Sequence, residues 1–600
     1  MNGSFRRLFL FLSLCCLAGP GAGGASAGVP GWTYIDHRLF VSLDPASGRI
    51  EAVDTLTIPA AFLRGGSASF KLLSRLDVTC ETPGVRLKKT GRSIPAEDSG
   101  MDRERLDRAG AVELDGYELR FRKSQAGDAV AVIRFSGEID YPVEQASGEY
   151  ARSFSETPGI ICEQGVYLAG STVWAPKFGE ELVTFDMTVS MPEGWDAVSQ
   201  GSRTAHELRG GRMIARWESP EPMEEIFLIA ARFHEYSSRA GKVDVMAFLR
   251  TADDALAGKY LETTSQYLDM YRGLIGPYPF TKFALVENFW ETGYGMPSFT
   301  LLGEKVIRFP FILHSSYPHE LLHNWWGNGV YVDFGGGNWC EGLTTYMADH
   351  LIKEQRGQGA QYRRDALQRY ADYVGPESDF PLRSFVSRTD AATEAVGYGK
   401  SMMMWHMLRR KIGDGPFIEG VRSFYRDNIY RAASFGDLRA AFELSSGIDL
   451  GGFFDQWVER AGAPELRLSK VSARSVTGGY DLGLTLAQIQ KGGPYSLRVD
   501  AAVSFTDSVA VRTLSMDGPE EDYRFEFRGM PISVRIDPEF DLFRRLHPEE
   551  IPPSLSGAFG AERVAVVLPS ADGDPMMEGY RAIAEAWAGD STLSVLVVED

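Results

Sequence analysis

The sequence predicts a multidomain α+β protein. Its 600 residues are more than one hydrophobic core usually serves. Short alternating apolar runs dominate residues 29–233, a helical period replaces them from about residue 252, and alternation returns between residues 466 and 545. Strand-rich and helix-rich segments that follow one another along a chain are typical of α+β architectures. The composition, 44% apolar and 24% charged, is that of an ordinary globular protein.

An all-β domain is predicted over residues 28–240. Runs such as 117–121, 129–133 and 182–187 have the length and the β-branched or aromatic content of strands. Gly, Pro, Asp and Ser residues separate such runs at the spacing expected for turns. The segment therefore predicts many short strands and few helices.

A mainly helical domain is predicted over residues 241–462. Residues 252–274 have the period of an amphipathic helix, and a Gly-Pro-Tyr-Pro stretch ends it. Two strand-like runs follow at 283–286 and 299–302, and the pattern is mostly helical from residue 315 onwards. Short strands followed by helices indicate an α+β domain.

Two smaller units are predicted after the helical domain. Alternation over residues 463–547 indicates a small β-sandwich. Residues 548–600 read as a Pro-rich linker and a partial α/β segment, with strands at 564–568 and 593–598 around a helix at 577–588. One β-α-β unit cannot bury its own faces, so we expect this segment to be incomplete or docked on another surface.

The first 27 residues have the features of a secretory signal peptide. Arg6 and Arg7 precede an apolar run at residues 8–18, and residues 25–27 fit the Ala-x-Ala cleavage pattern. We therefore expect export to the periplasm or the outside of the cell, the alternative being an uncleaved segment that anchors the protein to a membrane. No other apolar stretch approaches the 18 residues or so of a membrane span.

The net charge of the chain limits the classes of molecule that it is expected to bind. The formal net charge is −19, and removal of the signal segment, with its two arginines and no acid, takes it to about −21. Such a charge disfavours nucleic acid and anionic membranes as partners. The cysteines outside the signal segment, Cys80, Cys162 and Cys340, are too few for a disulfide framework. The sequence does not indicate an oligomeric state.

Residues 319–323, His-Glu-Leu-Leu-His, carry the strongest chemical signal. On a helix, His319 and His323 project from one face one turn apart, so both imidazoles can bind one Zn²⁺. Glu320 then lies beside the metal, where it can take a proton from water. The alternative is a pair of ordinary buried histidines on a core helix. Ser315 or Ser316 is expected to cap this helix, with Pro318 in its first turn.

A catalytic zinc requires a third protein ligand and an open position. Glu341 is the candidate, because it begins a second helical pattern after a Gly-rich loop at residues 335–337 that lets the chain turn back. Asn338 is the expected N-cap of that helix. By spacing alone, Glu341 could equally be a first-turn acid favoured by the helix dipole.

These motifs resemble peptidase family M1, the aminopeptidase N type of gluzincin metallopeptidase. The family carries His-Glu-x-x-His, typically eighteen further residues, and a Glu-Gly pair; here seventeen residues, 324–340, separate His323 from Glu341-Gly342. The resemblance covers about residues 30–545. It implies one zinc per chain held by His319, His323 and Glu341, with Glu320 as general base and a peptide as substrate. It also implies a saddle-like β domain, a thermolysin-like catalytic domain and a β-sandwich.

The family also has a tyrosine in a Tyr-x-Lys-Gly-like stretch, which Tyr398-Gly399-Lys400-Ser401 matches. The resemblance implies that the Tyr398 phenol donates to the oxyanion that develops during hydrolysis, where a preorganised donor contributes most. Read without the resemblance, Tyr398 is a core aromatic at the start of a helix.

The loop that binds the substrate's amine departs from the family pattern. Aminopeptidases of the family have Gly-Ala-Met-Glu-Asn there, and this chain has Gly295-Met296-Pro297. Gly295 and Met296 can still form an extended edge that pairs with a peptide backbone, but Pro297 cannot bind an amine. Glu163 is a candidate second anchor by analogy with a family acid, or else a solvated surface acid. Removal of N-terminal residues, endopeptidase cleavage and a catalytically silent binding protein therefore stay open.

Overall fold

The computed structural model describes residues 34–93, 112–122, 127–145, 155–179, 181–561, 563–568, 576–589 and 595–599. The predicted signal peptide at residues 1–27 lies outside this part of the chain. Within the described part, no helix has both the length and the apolar character that crossing a membrane requires. Several β-sheets combine with a helical middle region, which confirms the multidomain α+β class.

The first part of the described chain consists of strands whose residues alternate between buried and exposed sides, as in Ile35–Asp44 and Ala129–Glu138. The largest sheet has seven strands in the order β14-β15-β12-β1-β2-β7-β4. The strands are β1 Ile35–Asp44, β2 Arg49–Ile58, β3 Ser67–Leu73, β4 Leu76–Cys80, β5 Val85–Ser93, β6 Leu114–Phe121, β7 Ala129–Glu138, β8 Glu144–Gln145, β9 Ser155–Glu156, β10 Gly159–Cys162, β11 Gly165–Leu168, β12 Val183–Pro192, β13 Asp196–Val198, β14 Ser202–Arg209, β15 Arg212–Met223 and β16 Leu228–Ala231.

A five-stranded sheet follows, in the order β17-β18-β19-β21-β20, with β20 at one edge. Its strands are β17 His234–Ala240, β18 Val243–Leu249, β19 Lys282–Asn288, β20 Gly293–Met296 and β21 Phe299–Gly303. The predicted domain boundary between residues 240 and 241 falls inside the β17–β18 hairpin, which pairs from His234↔Leu249 to Ala240↔Val243. A cut between residues 240 and 241 would separate two hydrogen-bonded strands, because the pairing with β18 places β17 in the later sheet.

Helix α1, Asp254–Leu274, starts two residues after the predicted residue 252 because Asp253 caps it. The Asp253 side chain accepts a hydrogen bond from the Leu256 amide. The later helices are α2 Ser316–Leu322, α3 Cys340–Thr345, α4 Leu351–Gln355, α5 Gly359–Tyr373, α6 Ala391–Glu394, α7 Ser401–Ile412, α8 Asp414–Asn428, α9 Phe435–Ser446 and α10 Gly451–Trp457, with the short strands β22 Tyr331–Val332 and β23 Ala432–Ala433 between them. Two π-helical turns, Tyr346–His350 and Ala395–Lys400, interrupt this region.

The five-stranded sheet is buried on both faces. Phe283 and Leu285 belong to the core that the helices share, whereas Ala284 and Val286 belong to the core of the β-rich region. Successive residues of a strand point to opposite faces, so β19 contributes to both cores. The sheet therefore lies between the β-rich region and the helices, and its edge strand β20 is fixed from both sides.

Residues 466–536 form two three-stranded sheets, in the orders β24-β25-β28 and β27-β26-β29. The strands are β24 Leu466–Val476, β25 Gly479–Gln488, β26 Leu497–Ser504, β27 Val509–Met516, β28 Glu520–Phe527 and β29 Ser533–Ile536. Asp541, just beyond them, joins the helical region through His406 Nε2 at 2.8 Å, Arg363 NH2 at 2.9 Å and Arg410 NH1 at 2.7 Å. His350 completes this buried cluster, since its Nε2 accepts a hydrogen bond from Arg363 at 2.9 Å.

We expect the His350–His406 cluster to make stability depend on pH. Burial lowers the pKa of His350 from 6.5 to about 2 and also lowers the pKa of His406, so the folded state holds both neutral. The stabilisation is therefore present above about pH 6.5 and is lost as the pH falls, because only the unfolded chain takes up these protons readily. Thermal unfolding at about pH 7.5 and about pH 5 measures the difference. His406→Gln should make it smaller; an unchanged difference would contradict the assignment.

The last described segment is a β-α-β unit behind a linker. The linker contains helix α11 Leu555–Phe559. The unit itself consists of β30 Val564–Leu568, α12 Met577–Ala588 and β31 Val595–Glu599, with β30 and β31 parallel. The linker docks on α5, where Ser556 Oγ donates a hydrogen bond to Asp372 Oδ2 at 2.6 Å. Val567 and Leu596 remain 62% and 65% exposed, so the two-strand sheet does not bury its own faces.

Candidate metal centre and active site

Helix α2 brings the two predicted histidines together. The rings of His319 and His323 lie one helical turn apart with their centroids at 4.8 Å. Pro318 lies in the first turn, as predicted. Ser315 holds the N-cap position, but its hydroxyl donates to the Phe311 carbonyl and makes no capping hydrogen bond, so the capping prediction is wrong.

Helix α3 brings Glu341 to the same place. The Glu341 Oε2 atom lies 3.5 Å from His319 Nε2 and 3.6 Å from His323 Nε2. Trp339, and not the predicted Asn338, holds the N-cap position of α3, because the helix begins at Cys340. The Asn338 side chain still accepts a hydrogen bond from the Cys340 amide at 3.0 Å, so it satisfies the first amide of the helix. Gly337 turns the chain with φ of 96°, a conformation that favours glycine.

The residue after Glu341 must be small. A Cβ atom on Gly342 would collide with the side chain of Ser401 at the start of α7. Gly342 therefore lets α3 and α7 approach closely, and this contact fixes where the Glu341 carboxylate points. The Glu-Gly pair in the sequence thus has a packing reason as well as a chemical one.

The second ring nitrogens of the histidines are held by other groups. His319 Nδ1 lies 2.7 Å from Asp349 Oδ2, and His323 Nδ1 lies 3.2 Å from the Trp326 carbonyl oxygen. Both partners are acceptors, so each ring carries a proton on Nδ1 and turns its Nε2 toward Glu341. Two Nε2 atoms and one carboxylate converge, a donor set that fits a zinc ion.

The electrostatics keep Glu341 ready to bind a cation. Burial by itself would raise the pKa of Glu341, but the charges of His323 and His319 and a hydrogen bond from Tyr398 lower it to about 2. Burial by itself would lower the pKa of His319, but Asp349, Glu341 and Glu320 raise it well above its usual value. A metal ion must therefore displace a proton from His319, and Glu341 is ionised throughout the neutral range.

Asp349 belongs to the site, although the sequence analysis did not single it out. It lies in the π-helical turn Tyr346–His350, eight residues after Glu341, and the turn places its carboxylate against His319. An acid within the helical pattern that starts at Glu341 was the available signal.

Replacing Asp349 with Asn should weaken zinc binding about 10- to 100-fold. The amide can still accept from His319 Nδ1, but it no longer offers a negative charge that raises the basicity of the imidazole. Competition with a chelator of known affinity measures the zinc dissociation constant in both proteins. Equal affinity would show that Asp349 does not support the ligand.

The edge strand β20 lies directly against helix α2. A Cβ atom on Gly295 would come within 2.6 Å of Glu320 Oε2, so the strand and that carboxylate lie in close contact. Asn324 ties the strand to α2, because its Oδ1 accepts a hydrogen bond from the Ser298 amide at 2.7 Å. Gly295 and Met296 therefore line the cavity beside Glu320, on a strand with a free edge.

Tyr398 lies over the metal site. Its ring stacks on His319 with centroids 6.4 Å apart, and its hydroxyl hydrogen-bonds the Glu341 carboxylate. The guanidinium of Arg388 lies 5.7 Å from the centre of the Tyr398 ring, and both residues line the cavity. The π-helical turn Ala395–Lys400 carries the tyrosine to this position.

The structure does not bring Glu163 to the site. It is exposed on the turn between β10 and β11 and is not among the residues that line the cavity. The short β10–β11 hairpin places its tip at the surface. Two other acids of the β-rich region, Glu224 and Glu225, line the cavity instead. Another acid of the chain, Glu287, is engaged elsewhere, because its carboxylate accepts hydrogen bonds from the Arg250 backbone amide and the Arg308 guanidinium, both at 2.6 Å.

The helical region matches known proteins. Residues 314–457 match the peptidase family M1 domain. The alanine/arginine aminopeptidase of Saccharomyces cerevisiae is 30% identical over 159 residues, which are 25% of this chain and 19% of the yeast protein. Aminopeptidase N of Lactococcus lactis is 30% identical over 404 residues, 59% of this chain and 46% of that protein. The chain thus spans less than half the length of these two relatives.

Solved structures share the fold at low sequence identity. Legionella pneumophila aminopeptidase A, solved in complex with aspartic acid, has a TM-score of 0.61 at 16% identity, over 88% of this chain and 60% of that chain. A variant of an M1 zinc metallopeptidase from Deinococcus radiodurans has a TM-score of 0.50 at 17% identity, over 71% of this chain and 94% of that chain.

The His-Glu-x-x-His helix and the glutamate on a later helix form a donor set of the gluzincin type that fits zinc, and they lie within the region, residues 314–457, that matches the peptidase family M1 domain. The chain is similar to aminopeptidase N-like proteins of that family, as its motifs indicated.

Proposed function

We propose that the protein hydrolyses peptides with one zinc ion per chain and removes residues from their N-termini. The convergence of one nitrogen each of His319 and His323 and a Glu341 carboxylate oxygen within 4.8 Å of one another carries this proposal, together with Glu320 and Tyr398 beside them. A silent binding protein would have little use for a general base and a phenol at intact ligands. The aminopeptidase names of the relatives favour cleavage at the N-terminus.

His319, His323 and Glu341 would hold the zinc. When bound, zinc supplies a Lewis acid that polarises a carbonyl and makes water more acidic. Glu320 takes the proton from the attacking water and passes it to the leaving amine. The Tyr398 hydroxyl donates to the oxyanion that develops on the scissile carbonyl, and the low exposure of the surrounding side chains strengthens that hydrogen bond.

The edge strand β20 would align the substrate. Its free edge offers backbone groups with which an extended peptide can pair, so Gly295 and Met296 hold the main chain beside Glu320. Pro297 favours the alternative of an endopeptidase, since this loop lacks the acid that binds a free amine in aminopeptidases of the family. We further propose that the substrate is met outside the cytoplasm, as the sequence of the first 27 residues indicates.

The two forms of cleavage are separated by one pair of peptides. We expect kcat/KM to be higher for a peptide with a free N-terminus than for its N-acetylated form, because only the free ammonium gains from an anionic site. Hydrolysis of the pair by zinc-loaded protein, followed by mass spectrometry of the products, measures both the ratio and the bond cut. A ratio near one with internal cleavage would establish the endopeptidase and leave zinc-dependent hydrolysis intact.

A further inference from the structure

The cavity of the metal site lacks the loop acid, yet its walls are acidic. Among the residues that the structure describes, four carboxylates line it, from Glu224, Glu225, Glu320 and Glu341, against one guanidinium, that of Arg388. A divalent zinc leaves a net charge of about −1 in the cavity if the histidines are neutral ligands. The cavity thus suits a substrate group with one positive charge.

Glu224 and Glu225 lie on the short link between β15 and β16. Gln200 holds this link, since its Nε2 donates to the Glu225 carbonyl at 2.7 Å and its Oε1 accepts from the Phe227 amide at 2.9 Å. The link is therefore fixed directly after Glu224. Rigid support of this kind is what a binding carboxylate needs to hold a substrate group in one position.

One of the two acids has a structural role. The Glu225 carboxylate accepts a hydrogen bond from the Gly170 amide, so it supports the β-rich region. Glu224 precedes Glu225 in the link and lines the same cavity as His319, His323 and Glu341.

A second lining residue also indicates a ligand. Asn328 follows the catalytic helix, is 8% exposed, and its side-chain nitrogen has no hydrogen-bond partner among the described residues. A buried donor without a partner is costly, and a substrate carbonyl would satisfy it. The first residue of a peptide offers an ammonium and a carbonyl within a few bonds of each other.

We propose that Glu224 binds the free ammonium of the substrate's N-terminal residue, in place of the loop acid that Pro297 replaces. This inference rests on the proposed peptide hydrolysis and names the residue that makes it N-terminal. Glu224 selects substrates with a free N-terminus, and Glu320 and Tyr398 carry out the reaction.

The test compares wild-type protein with Glu224→Gln, each with full zinc content, on one peptide in free and N-acetylated form. Glu163→Gln is the matched control, because Glu163 lies on an exposed turn of the same region. We expect Glu224→Gln to raise KM for the free peptide about 10- to 100-fold, with a smaller change in kcat and none for the acetylated peptide. An equal loss on both peptides, or no loss, would overturn the assignment.

Binding of the same peptides to zinc-loaded Glu320→Gln protein, with and without Glu224→Gln, keeps the test independent of turnover. Calorimetry should show tighter binding of the free peptide only when Glu224 is present. If that preference is found without hydrolysis by the wild type, the inference stands and the proposed hydrolysis fails. If hydrolysis occurs but the wild type binds both peptides equally, the inference fails and hydrolysis stands.

Discussion

Replacing Glu320 with Gln should remove nearly all hydrolysis while the zinc content stays at one per chain. Glutamine has almost the same shape, but its amide cannot accept the proton of the attacking water. Glu320 lines the cavity beside the metal ligands without belonging to the converging set, so its loss should not release the ion. We expect kcat to fall at least about 10²- to 10⁴-fold, the usual contribution of general acid–base catalysis.

The measurement combines zinc analysis of the purified variant with single-turnover hydrolysis. Glu207→Gln is the matched control, because Glu207 also follows a histidine but lies exposed on β14, away from the metal site. That variant should keep wild-type turnover. Loss of zinc from the Glu320 variant would show that Glu320 is a ligand, and full turnover would remove it from the mechanism.

Replacing Glu341 with Ala should have the second large effect, which is on zinc affinity. Two imidazole nitrogens alone leave the ion short of the three protein ligands that catalytic zinc sites use. The substitution also leaves His319 and His323 without the buried carboxylate that their Nε2 atoms face. We expect the purified variant to lose its zinc during dialysis against a weak chelator, and activity to disappear with it.

Glu354→Ala provides the control for Glu341→Ala. Glu354 belongs to a second group of side chains, with His350 and His406, whose ligand atoms also lie within 4.8 Å of one another. Arg409 holds Glu354 at 2.8 Å, and Arg363 donates to His350, so this group is occupied by arginines. Loss of the Glu354 carboxylate should therefore leave the zinc content unchanged. Retention of zinc by the Glu341→Ala variant would show that Glu341 is not a zinc ligand and is only an acid in the first turn of a helix.

The parts of the site that the sequence predicts are those set by local geometry. His319, Glu320 and His323 are fixed by one helical turn, and the structure brings them together with Glu341 and Tyr398 as expected. Asp349 could not be assigned, because its contact with His319 forms between two separate helical segments. Glu224 could not be found either, since nothing in residues 223–226 shows that the link faces a cavity built by other segments.

The same distinction applies to the fold. Helix α1 was predicted within two residues because its period and its Asp253 cap are local. The place of β17 in the five-stranded sheet was not predicted, because it depends on the pairing of β17 with β18. The contact of His406 with Asp541 joins residues 135 positions apart, and the periodicity of a sequence cannot reveal such a pair. Glu163 was misplaced because an analogy in sequence does not say which way a hairpin tip points.

The central claim is that one zinc ion binds between His319, His323 and Glu341. Diffraction data from crystals of the purified protein, collected above and below the zinc absorption edge, test it most directly. The account predicts one anomalous peak per chain at about 2.0–2.2 Å from His319 Nε2, His323 Nε2 and a Glu341 carboxylate oxygen. A zinc-replete protein with no peak there, or with its peak between His350 and His406, would contradict the account.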